Sequence, residues 1–148
     1  MSVVTNVLLS IGLNGAGEED PNPYTAALNA FFPPGQGLVN ADAVPERPGW
    51  YGGTKYLEVD LYVGAFNHLD LRAFVTHLRG IAWEHPEDVQ LLICAQDDLI
   101  FSEIPVFPPA RQKQVSAQTQ QLIHWARITG AAATNGEEGR AGGPGSGP

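Results

Sequence analysis

Cysteine is almost missing from this chain: Cys94 is the only one, so no internal disulfide exists and a small bridge-held secreted scaffold is excluded. Positive charge is scarce as well. Eight Lys and Arg stand against 16 Asp and Glu, a formal net charge of −8, which disfavours non-specific binding to nucleic acid or to anionic membrane because both need a basic footprint. No apolar run approaches the length of a membrane-spanning helix. The N-terminus lacks a basic segment followed by an apolar region and a small-residue cleavage site, so a cytoplasmic location is expected.

Catalytic signatures are missing too. There is no H-E-x-x-H, H-x-x-E-H or C-x-x-C spacing and no G-x-S-x-G elbow. The run Gly12-Leu13-Asn14-Gly15-Ala16-Gly17 follows a strand pattern, but its spacing is G-x-x-G-x-G, and Glu18, Glu19 and Asp20 follow where a phosphate wants the positive end of a helix. It reads as a flexible acidic turn. Gly52-Gly53-Thr54-Lys55 lacks the upstream glycine of a Walker loop and precedes a strand. His68 with Asp70, and Glu84 with His85, read as solvated groups at the two ends of one helix. Cys94, flanked by Ile93 and Ala95, reads as buried and inert. No catalytic residue, metal or cofactor is expected.

What is present centres on Lys55 to Ile104. From Tyr56 to Ala65 the chain alternates, with Leu57, Val59, Leu61, Val63 and Ala65 on one face and Tyr56, Glu58, Asp60 and Tyr62 on the other. That period of two predicts a half-buried strand with the first set in the core. Asn67 is placed to cap a helix, with Asp70 in its first turn. Leu71, Phe74, Val75, Leu78, Ile81 and Ala82 form one apolar stripe at helical spacing, and Pro86 ends it. Val89 to Ala95 is apolar at nearly every position, as for a strand covered on both faces. A turn at Gln96-Asp97-Asp98 leads to a second strand, Leu99 to Ile104, antiparallel to it.

Upstream, Val3 to Leu13 alternates with apolar residues on both faces, which predicts a central strand. Asn22-Pro23 opens a short helix buried through Tyr24, Ala27, Leu28 and Phe31. Leu38-Val39 suggests a short edge strand. Downstream, Arg111 to Ile128 has a helical pattern that Gly130 can end. Residues 131–148 are nearly all Ala, Gly, Pro, Ser, Glu and Asn, too poor in apolar side chains to order themselves, and are expected to be a disordered tail. The expected organisation is one α/β (α+β) domain over 1–130, a ferredoxin-like two-layer sandwich with an extra strand and a C-terminal helix. Its sheet is expected to be mixed, of four or five strands. The strands before and after the long helix are expected to be parallel and joined by a right-handed crossover.

The functional expectation follows from charge and aromatics. Trp50, Tyr51, Tyr56, Glu58, Asp60 and Tyr62 combine hot-spot side chains with carboxylates, which predicts a non-enzymatic protein-binding module engaging a basic protein partner in the manner of inhibitor or immunity proteins. One alternative is a small enzyme or ligand-binding domain with a pocket at the strand ends, formed by Asp97, Asp98 and the Gly12 to Asp20 loop. Another is a subunit of a larger assembly, held through the C-terminal helix and tail.

Overall fold

Val4–Ser10 forms β1, the middle of the sheet. Thr5, Val7 and Leu9 are buried while Val4, Asn6, Leu8 and Ser10 are half-buried, so both faces are covered to different degrees. The structure, a computed structural model, describes residues 3–15, 22–41, 57–107 and 115–137. The chain divides into two units, 1–113 and 114–148. In the first, β1 is followed by α1 (Tyr24–Asn29), β2 (Val39–Asn40), β3 (Leu61–Asn67), α2 (Leu71–Gly80), a 3-10 turn (Pro86–Asp88), β4 (Gln90–Ala95) and β5 (Ser102–Ile104).

The strand order is β2-β3-β1-β4-β5, and every pairing is antiparallel. With α1, α2 and the C-terminal helix this is an α+β architecture. The mixed sheet expected from the sequence is corrected. β3 and β4 do run in the same direction, but each pairs antiparallel with β1, which lies between them. A helix long enough to carry the chain back across a sheet says nothing of how many strands it passes. β1, apolar on both faces, takes the intervening place.

The register sets the core. Leu9 stands opposite Tyr62 and Leu91, and Val7 opposite Gly64 and Ile93. Leu28 of α1 and Phe74 and Leu78 of α2 join these residues in one buried cluster, so both helices cover the same face. Removing a side chain such as Phe74 from water stabilises the fold by about 2–3 kcal/mol. Trp83 closes the end of α2: its ring stacks on Tyr24 at 4.8 Å, and its Nε1 donates to the Leu78 carbonyl at 2.8 Å. On the sheet's other face Val39, Val63, Leu8, Leu92 and Glu103 stand opposite one another in a row across all five strands.

Two boundaries move from their expected places. α2 is capped by Asp70, whose Oδ1 accepts from the Ala73 amide at 3.0 Å, because β3 continues through Asn67 and two further residues are needed for the turn. Asp70→Ala is therefore expected to cost about 1 kcal/mol, whereas Asn67→Ala should stay within about 0.5 kcal/mol. Urea titration of both variants checks the assignment, and the reverse ranking would contradict it. β3 itself begins at Leu61, not Tyr56, and Tyr56 lies outside the described residues.

In the second unit, α3 spans Ala117–Glu137, and residues 115–131 are exposed. Its first turn is held by Ser116, whose Oγ accepts from the Thr119 amide at 3.2 Å. The helix runs through Gly130, the position expected to end it. An interior glycine costs a helix only about 1 kcal/mol, and the alanines at 131–133 are the strongest helix formers.

Candidate functional site

The predicted acidic and aromatic face is divided by the fold. Trp50, Tyr51 and Tyr56 lie outside the described residues. Glu58 is exposed, ahead of β3. Asp60 is half-buried, and its carboxylate accepts from the Nδ2 of Asn22. Tyr62 is fully buried, with its hydroxyl 2.7 Å from Thr25 Oγ1 of α1. The expected facing of this stretch is thus reversed: Tyr62 points to the helices, while Leu57 and Val59, expected in the core, are 39% and 37% exposed. The cause is the antiparallel register, which sets Tyr62 against Leu9. Alternation alone marks two faces without saying which is inner, and a tyrosine whose hydroxyl finds a partner suits either.

The alternative pocket is divided too. Gly12 to Gly15 follow the C-terminal end of β1, beside the start of β4, since Ser10 pairs with Gln90. Asp97 and Asp98 follow the C-terminal end of β4, near the start of β1, where the Val4 amide donates to Gln96 Oε1 at 3.1 Å. Antiparallel pairing thus puts the two halves at opposite ends of the sheet, about 20 Å apart at strand rise.

The Gly12–Gly15 turn is a packed junction. Asn14 is completely buried. Its Nδ2 donates to the carbonyls of Ile11 at 2.7 Å and His85 at 2.8 Å, and its Oδ1 accepts from the His85 amide at 2.7 Å. Asn22 donates to the Asn14 carbonyl at 3.1 Å and accepts from the Tyr24 amide at 2.9 Å, which continues the network to Asp60. Gly12 has φ +56°, and a Cβ there would collide with the Asp88 side chain, so the glycine serves a tight turn and close packing.

Two surface features near β5 remain. The first is the tip between β4 and β5. Asp97 and Asp98 are exposed, in a turn closed by the Asp98 amide donating to the Ala95 carbonyl at 3.0 Å. Leu99, Ile100 and Phe101 follow, exposed by 88%, 72% and 45%. The sequence pattern predicts a strand here. The strand starts only at Ser102, because Leu99 adopts φ +57°, outside the extended region and strained for a branched side chain. The second is a groove of about 420 Å³ between α2 and β5, lined by Leu71, Arg72, Val75, Thr76, Arg79 and Ile104. Arg79 is fixed there: its Nε donates to the Val106 carbonyl at 2.5 Å and its Nη2 to the Pro105 carbonyl at 3.3 Å. Arg72 lies two turns earlier on α2, about 10 Å away by helical rise.

A smaller hollow beside Phe31, Phe32, Phe66 and His68 is walled by rings that pack on one another, Phe32 stacking on Phe66 at 4.4 Å. Among the described residues no three His, Cys, Asp or Glu are grouped to hold a metal ion, and no helix is long and apolar enough to cross a membrane. Around β5 an acidic and apolar projection lies beside a basic and apolar groove. No family model, curated protein or solved structure matches this chain.

Proposed function

We propose that this chain is a protein-binding module whose contact surface is the tip Asp97 to Phe101. One observation carries the reading: three large apolar residues in succession, Leu99, Ile100 and Phe101, stand in solvent directly after two exposed carboxylates. Single exposed apolar residues are ordinary on a protein surface, whereas a contiguous patch on a projecting turn marks an interaction site. The partner's chemistry follows from the tip, an apolar hollow with basic residues at its rim. The acidic and aromatic character expected of the binding surface is kept, and its position moves from β3 to the β4 to β5 turn. A ferredoxin-like two-layer sandwich, extended by β5 and α3, is the fold reading that goes with this proposal. It is supported by the order β2-β3-β1-β4 and by the shared face of α1 and α2. A cytoplasmic setting is proposed from the sequence pattern alone.

The strain at Leu99 supports the same reading, since a bulky residue at positive φ persists where something other than stability holds it. Leu99→Asn is expected to leave the fold as stable as before or to raise it by about 0.5–1 kcal/mol, several degrees in Tm, because asparagine tolerates this conformation. A loss above that size on calorimetry would show that Leu99 packs in the core.

To test the function, p-benzoylphenylalanine replaces Phe101 and the chain is irradiated in extract of the cells that produce it. A covalent protein adduct is expected, and it should vanish when Leu99→Asp and Ile100→Asp are added. No adduct, or an adduct indifferent to those two changes, overturns the proposal.

A further inference from the structure

Resting on the reading of the tip as a contact surface, we infer that its partner is a second copy of this chain, joined along β5 with each tip seated in the Arg72 and Arg79 groove of the other. The first ground is chemical complementarity within one molecule. Among the described residues of the first unit, Arg72 and Arg79 are the only Lys or Arg, and both line a single groove whose apolar lining is Leu71, Val75 and Ile104. The tip presents the inverse, two carboxylates followed by three apolar side chains. A chain of net charge −8 repels its own copies over most of its surface. Tip to groove is an arrangement in which two copies bring opposite charges together. Arg79 suits the role, because its bonds to the Val106 and Pro105 carbonyls hold the guanidinium still while leaving further N–H donors of the fork for a carboxylate.

The second ground is placement. Among the described residues β5 ends the sheet, and an end strand carries main-chain groups on its outer side that can pair with another strand. The tip precedes β5 directly and the groove is walled by Ile104, its last residue. A two-fold axis at Ser102 would pair the two β5 strands antiparallel, set Phe101 opposite Glu103, and bring each tip alongside Ile104 to Val106 of the other copy, where Arg79 is held. An axis at Glu103 would instead set two carboxylates face to face, which is unfavourable. Pro105 has no N–H, so strand pairing is confined to a few residues and the tip must supply most of the contact. The surface is the same patch on both copies, as a two-fold requires.

The test uses the purified full chain in sedimentation equilibrium over a concentration series. Wild type is expected to dimerise. Asp97→Arg with Asp98→Arg, and separately Arg72→Asp, should each weaken self-association about tenfold or more, because like charges then meet in both interfaces. Mixing the two variants should restore association, since in the mixed dimer each tip meets a residue of opposite charge at position 72. Restoration of the mixed dimer cannot come from misfolding of either variant and would establish the contact. A wild-type chain that stays monomeric, or a dimer indifferent to both variants, overturns the inference. The outcome is separable from that of the tip itself. An adduct from position 101 with a different protein would overturn the second copy and leave the tip as a contact surface, whereas no adduct at all would remove both.

Discussion

Asn14→Ala is expected to destabilise the fold by about 3–5 kcal/mol, a large share of the 5–15 kcal/mol that holds an ordinary domain together. The reason is the number of buried hydrogen bonds lost at once. Asn14 is completely buried, and its side chain answers the carbonyls of Ile11 and His85 and the amide of His85. Alanine removes all three bonds, each worth about 1 kcal/mol net, and leaves the His85 amide without its acceptor at about 1–3 kcal/mol more, while the Ile11 and His85 carbonyls keep the backbone amides of residues 14 and 88. The damage should spread, because the Asn14 turn ties the end of β1 to the segment before β4 and, through Asn22, to the start of α1. Asn14→Asp is a sharp control. It keeps the shape and the acceptor for the His85 amide but turns Nδ2, which makes both donations, into an oxygen facing two carbonyls, so it should be at least as harmful. Urea midpoints measure both. A loss below about 1 kcal/mol for alanine would mean the network is dispensable.

Tyr62→Ala is expected to cost a similar amount, about 3–5 kcal/mol, and this separates two placements of the residue. On an outer sheet face the change would stay within about 0.5 kcal/mol and act on binding instead. In the core it opens a cavity among Leu9, Asn40 and the helices, and the cost is transfer energy plus unfilled space. Tyr62→Phe keeps the ring and removes the hydroxyl with its contact to Thr25, and should cost about 1 kcal/mol. Glu58→Lys, on an exposed residue, should leave stability nearly unchanged. The ranking of alanine far above phenylalanine, with lysine at position 58 near zero, is the expected result in chemical denaturation. A mild Tyr62→Ala would return the residue to the surface.

Much of the architecture was legible in the residues. The alternation of Val3 to Leu13 marked a strand covered on both faces, and β1 is the middle of the sheet. The stripe from Leu71 to Ala82 marked a helix, and its Phe74 and Leu78 are fully buried. Leu38-Val39 marked an edge strand, observed one residue later. These are local signals, in which the spacing of apolar side chains sets both the element and its buried side. The turn Asp97-Asp98 was legible as a turn, but its apolar continuation was not legible as a tip, because Leu99 to Phe101 fits a strand by composition and only its backbone conformation departs from one.

What the chain determined by itself is therefore its elements, its α+β class, its acidity and its lack of recognisable catalytic spacing. Tertiary structure alone decided which partner each strand found, and three consequences follow from that choice. Pairing β3 with β1 in the observed register turned Tyr62 inward. Setting β1 between β3 and β4 made the sheet wholly antiparallel. Antiparallel pairing of β4 with β1 parted Asp97 and Asp98 from the Gly12 turn, and β5 against α2 set an acidic, apolar tip beside an arginine-lined groove. Register and strand order are long-range properties. A shift of one residue exchanges the two faces of a strand while leaving its alternation unchanged, so no reading of spacing within a segment contains them.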